Sequence, residues 1–228
     1  MTPAPSSRRD HGFTLIELLV AITIMAMLAI LSWRGLDGMT RAQAQTQQRA
    51  DEVLTLQASL AQWSADLDAL APSTDLGVLD WDGRVLRLTR RDSVNPGDGL
   101  RVVAWTRRAD APPGLWLRWQ SQPLRTSAEW GEAWRRAQLW AQNASGDERQ
   151  REVALVPLLE WQIFYFRGGA WSNPLSSDGS APTGSPAATA STTVPDGVRL
   201  VLVLPPGQAM NGRLTLDWVR PTVGGGKS

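Results

Sequence analysis

Near its front the chain carries a long apolar run, and towards its end short alternating segments. From Phe13 to Trp33 there is one charge, Glu17, and no proline. A helix of that length spans roughly 30 Å, about one hydrocarbon core. Beyond it, Val53, Leu56, Leu60, Trp63, Leu67 and Leu70 recur at spacings of three and four. That is the apolar stripe of an amphipathic helix. Asp51, Glu52, Gln57, Gln62 and Asp66 lie between these positions and read as its outward side. Gly35 and Gly38 mark a point where the helix is expected to bend or melt, and Pro72 is expected to stop it.

After Pro72 the period changes to two. "GLRVVAWTRR", "GLWLRWQSQPL", "GVRLVLVLPP" and "GRLTLDWVRP" read as strands. In "GRVLRLTRR" the alternation is imperfect, because Val85 falls on the side of Arg87. "DWDG" and "NPGDG" read as turns. "TSAEWGEAWRRAQLWAQNA" is helix-like or mixed, and "VALVPLLEWQIFYFRGGAW" reads as a pair of strands with Trp161, Ile163 and Tyr165 on one face. Regular alternation of strand and helix is absent. The pattern predicts an α+β fold in which one long helix packs on antiparallel sheet. Residues 172–193 are small and polar without apolar periodicity and read as a flexible loop, and 221–228 as a loose tail.

Composition narrows the chemistry. The formal net charge over 228 residues is +1, which argues against a nucleic-acid partner. The chain has no cysteine, so disulfides, cysteine-held zinc and thiol nucleophiles are excluded. The one histidine, His11, precedes the apolar run, which excludes a Ser-His-Asp triad or histidine metal site in the body.

Glu17 is anomalous within a membrane segment, since a carboxylate there costs on the order of 2.5–3.5 kcal/mol on insertion scales. It either reaches the near headgroups or meets a partner. The apolar run exceeds the 7–15 residues, about, of an ordinary signal peptide. Arg8 and Arg9 precede it, which places the N-terminus on the cytoplasmic side.

The stretch "GFTLIELLVAITIMAMLAIL", behind the short hydrophilic leader "MTPAPSSRRDHG", resembles the N-terminal signal of type IV pilins and pseudopilins. The resemblance implies cleavage between Gly12 and Phe13 by a prepilin peptidase, N-methylation of Phe13, and pairing of Glu17 with a neighbouring subunit's N-terminal amine in the membrane. It also implies a pilin-like order: leader 1–12, membrane helix 13–34, continuation 35–71, β-rich head 72–220 and tail 221–228. "PDGVRLVLVLPPG", "GRLTLDWVRP", "LEWQIFYFRGGAW" and "GDGLRVVAWTRR" are similar to strands of the J-type minor pseudopilins of type II secretion. The small polar insertion departs from that family's compact pattern.

What this implies is a structural subunit of a pseudopilus tip that primes assembly and supports export across the outer membrane. Its partners would be I- and K-type minor pseudopilins, the major pseudopilin, the peptidase and the inner membrane, with the head in the periplasm. A type IV minor pilin is the alternative.

Other candidate chemistry reads as structural. Asp75, Asp80 and Asp82 lack the spacing of a calcium loop. Glu129 and Glu132 could act as an acid/base pair in a membrane-anchored hydrolase but read as solvated. Trp105, Trp116, Trp119 and Trp161 could form a carbohydrate or peptide platform, yet alternating Trp in strands reads first as core or interface. No catalytic residue, metal or cofactor is expected.

Overall fold

The computed structural model describes residues 13–73, 75–92, 99–109, 113–176 and 194–221. The leader with Gly12, residues 177–193 of the polar insertion, the turn Asn95–Asp98 and the tail from Thr222 lie outside them. The chain divides into two units, Met1–Gln48 and Arg49–Ser228.

In the first unit, helix α1 (Leu15–Asp68) is formed from its first turn, and every residue from Phe13 to Ala50 is exposed. Gly35 and Gly38 both lie within the helix. The expected melting there does not occur: intrahelical hydrogen bonds continue across both, since one glycine costs a helix only about 1 kcal/mol.

Among the described residues the second unit contains the end of α1 and nine strands. Strands β1 (Leu79–Trp81), β2 (Val85–Arg91), β3 (Leu100–Arg108), β4 (Gly114–Gln120) and β5 (Glu152–Leu158) form an antiparallel sheet in chain order. Strands β6 (Glu160–Arg167), β7 (Ala170–Ser172), β8 (Gly197–Leu204) and β9 (Gly212–Val219) form a second antiparallel sheet, ordered β7-β6-β8-β9. Helix α2 (Ser127–Gln142) and the short α3 (Gly146–Arg149) lie between β4 and β5. The fold is α+β, as the patterning predicted.

The core has two compartments. In one, Leu56, Trp63 and Leu67 of α1 meet Leu86, Leu88, Val103, Trp105 and Trp116 of the first sheet and Ile163, Tyr165, Val198, Leu200 and Leu202 of the second. Trp63 is edge-on to Trp105 at 5.3 Å and to Trp161 at 6.4 Å, so it links the two sheets. In the other, Val85, Val102, Ala104, Leu117 and Trp119 meet Ala133, Ala137, Trp140 and Ala141 of α2. Small residues at positions 133, 137 and 141 recur every four and let α2 sit close to the sheet.

This arrangement explains the irregular pattern of β2. Leu86 and Leu88 enter the first compartment and Val85 the second. Arg87 and Thr89 also lie on the α2 side, where Arg87 donates to Gln138 Oε1 at 3.3 Å and Thr89 Oγ1 accepts from Trp130 Nε1 at 2.9 Å. A strand covered on both faces has no reason to alternate.

Two further expectations are corrected. α1 ends at Asp68, ahead of Pro72, because residues 69–71 turn to pair with β2: the Ala71 N–H donates to Thr89 O at 3.0 Å and the Arg91 N–H to Ala69 O at 2.9 Å. Residues 153–171 hold nearly all of β5, all of β6 and the start of β7: β6 pairs with β7 as expected of a strand pair, but β5 and β6 do not pair with each other. The chain leaves the first sheet at Leu158 and enters the second at Glu160, where Leu159 N–H donates to Val203 O at 2.8 Å. Both strands feed one core, which gives the run its continuous apolar character.

Candidate membrane anchor and the buried clasp of the head

Among the described residues one helix is long and apolar enough to cross a membrane, and its apolar window is entirely exposed. Phe13 is 91 % and Trp33 75 % exposed. Exposed apolar surface on this scale marks an interaction or membrane site.

Glu17 lies in the first turn of α1. Its Oε2 accepts from the Thr14 N–H at 3.0 Å and from Thr14 Oγ1 at 2.9 Å. The Glu17 N–H in turn points to Thr14 Oγ1 at 3.4 Å and to Thr14 O at 3.1 Å. This reciprocal bonding is a capping box, whose signature is Thr-x-x-Glu. "TLIE" carries that signature, so Thr14 was legible as a partner of Glu17. The box satisfies part of the carboxylate and leaves the rest of its acceptor capacity turned outward.

The head contains a second carboxylate that the patterning misplaced. Asp66, expected on the outward side of the helix, is fully buried. Its Oδ2 accepts from Arg118 Nε at 2.8 Å and Trp105 Nε1 at 3.0 Å. Its Oδ1 accepts from Arg118 Nη2 at 2.9 Å, Gln62 Nε2 at 2.9 Å and Arg90 Nη1. The carboxylate is buried because donors on β2, β3 and β4 surround it, and a charge withdrawn from water requires such partners. The signal was in β4, where Arg118 interrupts the otherwise apolar run Leu115–Trp119.

The remaining candidates have structural roles. Asp80 pairs with Arg87. Asp82 Oδ1 accepts from the N–H groups of Arg84 at 2.9 Å and Val85 at 2.8 Å, closing the β1–β2 turn. Glu129 completes the capping box of α2 with Thr126. Hydrogen bonds from the backbone N–H groups of Arg125 and Thr126 hold its carboxyl below the usual range. Glu132 lies 3.7 Å from Arg136 on the exposed side of α2. Asp75, Asp80 and Asp82 do not converge into a metal cluster among the described residues. Trp105, Trp116 and Trp119 have no exposed surface and Trp161 is half-buried, so they form core rather than a platform. Phe13 is exposed just ahead of α1, and Gly12 lies outside the described residues.

Residues 7–33 match the family described as the prokaryotic N-terminal methylation motif. Residues 34–216 match the family described as type II secretion system (T2SS), protein J. The chain belongs to the type II secretion system protein J family. The family match takes in both sheets up to Leu216 and the part of α1 that packs on them. The motif match takes in Gly12, Phe13 and Glu17.

A curated relative, type II secretion system protein J of Klebsiella pneumoniae, is 34 % identical over 79 residues, which cover 34 % of this chain and 40 % of the relative. The chain thus matches less than half of that relative's length. A solved chain in the GspK-GspI-GspJ complex of the enterotoxigenic Escherichia coli Type 2 Secretion System is 16 % identical, covering 74 % of this chain and 96 % of that one, with a TM-score of 0.44. Family membership and the exposed apolar helix fit a membrane-anchored protein.

Proposed function

We propose that this chain is a minor pseudopilin of a type II secretion system, acting at the tip of the pseudopilus to prime assembly and support protein export across the outer membrane. The family match over residues 34–216 carries the reading, and it favours type II secretion over a type IV pilus. The role is that of an assembly subunit rather than an enzyme.

In this reading the prepilin peptidase cuts between Gly12 and Phe13, and Phe13 becomes the methylated N-terminus. The helix over 13–34 stays in the inner membrane with its N-terminus cytoplasmic, and the head lies in the periplasm. Glu17 then meets the N-terminal amine of a neighbouring subunit. Pairing recovers much of the desolvation cost of both charges, which neither recovers alone. The same contact sets the axial register between subunits. Neighbouring subunits are the other minor pseudopilins, of the I and K types, and the major pseudopilin.

Mass spectrometry of the protein extracted from membranes tests the processing step: a chain starting at N-methylated Phe13 is expected, and an intact Met1 terminus overturns it. Co-purification of other minor pseudopilins with the full chain tests the assembly role, which fails if none is recovered from cells expressing them all.

A further inference from the structure

Among the described residues the two sheets have four edge strands, and three of them are blunted. β1 and β7 are three residues long each. β5 carries Pro157, and its register with β4 shifts between Leu115 and Leu117. Short strands, proline, bulges and charged side chains are devices by which edges avoid pairing. β9 is neither short, proline-bearing nor bulged, and its two charges, Arg213 and Asp217, are of opposite sign. It runs eight residues, and its register with β8 is unbroken from Gly197 opposite Val219 to Leu204 opposite Gly212.

The outward backbone groups of β9 follow from the ladder. Arg220 N–H donates to Asp196 O at 2.9 Å, and on the other side of β8 the Val203 carbonyl accepts from Leu159. Even-numbered residues of β9 therefore face β8, and Arg213, Thr215, Asp217 and Val219 turn their N–H and C=O outward. All four are exposed, and among the described residues no backbone hydrogen bond covers them.

We infer that the free edge of β9 pairs antiparallel with β9 of a second copy of this chain, centred on Thr215. In that register Arg213 lies opposite the second copy's Asp217, and the reverse pair completes the symmetry. The charges are self-complementary only because the two residues stand at equal distances either side of Thr215. Arg213 has no ion-pair partner among the described residues. Asp217 is held on its own sheet by Arg199, with Nε at 2.7 Å from Oδ1 and Nη2 at 2.7 Å from Oδ2, which fixes the carboxylate where Arg213 arrives. Positions 213, 215 and 217 form three outward-bonding pairs, giving six backbone hydrogen bonds. Leu214 and Leu216 meet each other's counterparts on the opposite face. The contact is small and so depends on concentration.

The absence of cysteine gives a clean test on the full chain in detergent or membranes. In the inferred register the two Thr215 Cα atoms stand about 5.5 Å apart, within disulfide range. Thr215→Cys should oxidise to a covalent dimer. Arg213→Cys should not, because its counterparts lie more than about 13 Å apart along the strands. Adding Arg213→Asp to Thr215→Cys places like charges opposite one another and should lower the dimer yield about tenfold. Thr215→Pro, which removes an outward N–H and leaves pairing with β8 intact, should abolish self-association in sedimentation. The inference is overturned if Thr215→Cys yields no dimer, if Arg213→Cys cross-links equally, if Arg213→Asp has no effect, or if Thr215→Cys links only to a different polypeptide.

Discussion

Arg118 clasps Asp66 through two parallel hydrogen bonds, Nε to Oδ2 at 2.8 Å and Nη2 to Oδ1 at 2.9 Å, joining the last turns of α1 to the middle of β4. Arg90 and Trp105 add donors from β2 and β3, so one carboxylate holds the helix to three strands. Hydrophobic contact allows a helix to slide, whereas a bidentate ion pair has one geometry. The clasp therefore sets the position of α1 along the sheet.

Asp66→Ala should destabilise the head by about 3–5 kcal/mol, because it strands two guanidinium groups in the core. Denaturant unfolding of the full chain, followed by tryptophan fluorescence, measures this. A loss below about 1 kcal/mol would show that water takes the carboxylate's place.

Trp63→Ala should cost about 3–5 kcal/mol through the cavity left between the sheets. Leu54→Ala on the same helix is the control: Leu54 is 60 % exposed, and surface substitutions change stability by about 0.5 kcal/mol or less. Equal effects at the two positions would contradict the packing of α1.

Glu17→Ala should leave membrane insertion and cleavage intact while impairing incorporation into the tip complex. Thr14→Ala should keep that incorporation and weaken the first turn of α1 by about 0.5–2 kcal/mol, since only the cap is lost. Co-purification of partner subunits reads the first effect, and amide exchange at residues 15–18 the second. Wild-type partner recovery with Glu17→Ala would remove the pairing role.

Acid should loosen the head through Asp217 and Glu152. The hydrogen bond from Arg199 lowers the Asp217 pKa, outweighing burial, with attraction to the same guanidinium adding to it. At Glu152 burial pushes upward, but hydrogen bonds from Arg108 and Trp140 outweigh it and the net shift is downward. A carboxylate lowered in the folded state contributes stability above its unfolded pKa and loses it as pH falls through the folded value. Stability should therefore fall below about pH 4, and the double variant Asp217→Asn, Glu152→Gln should flatten that part of the profile. An unchanged slope would show that these pairs do not contribute.

Local pattern carried much of this protein. The apolar run from Phe13 to Trp33, the stripe from Val53 to Leu70, and the two C-terminal strands could each be read from spacing, because helix and strand present their side chains at fixed periods. "TLIE" also held the cap that binds Glu17, a local motif within one helical turn. What tertiary structure alone decided was which faces are covered and by what. Asp66 is polar on a helical stripe, and only the arrival of Arg90, Trp105 and Arg118 from distant strands makes its burial favourable. Arg87 reads as the solvent side of β2 until α2 lies over it. β5 and β6 read as one pair until the chain crosses between sheets at Leu159. Periodicity reports the geometry of a single element, whereas burial of a charge and choice of sheet depend on partners dozens of residues away.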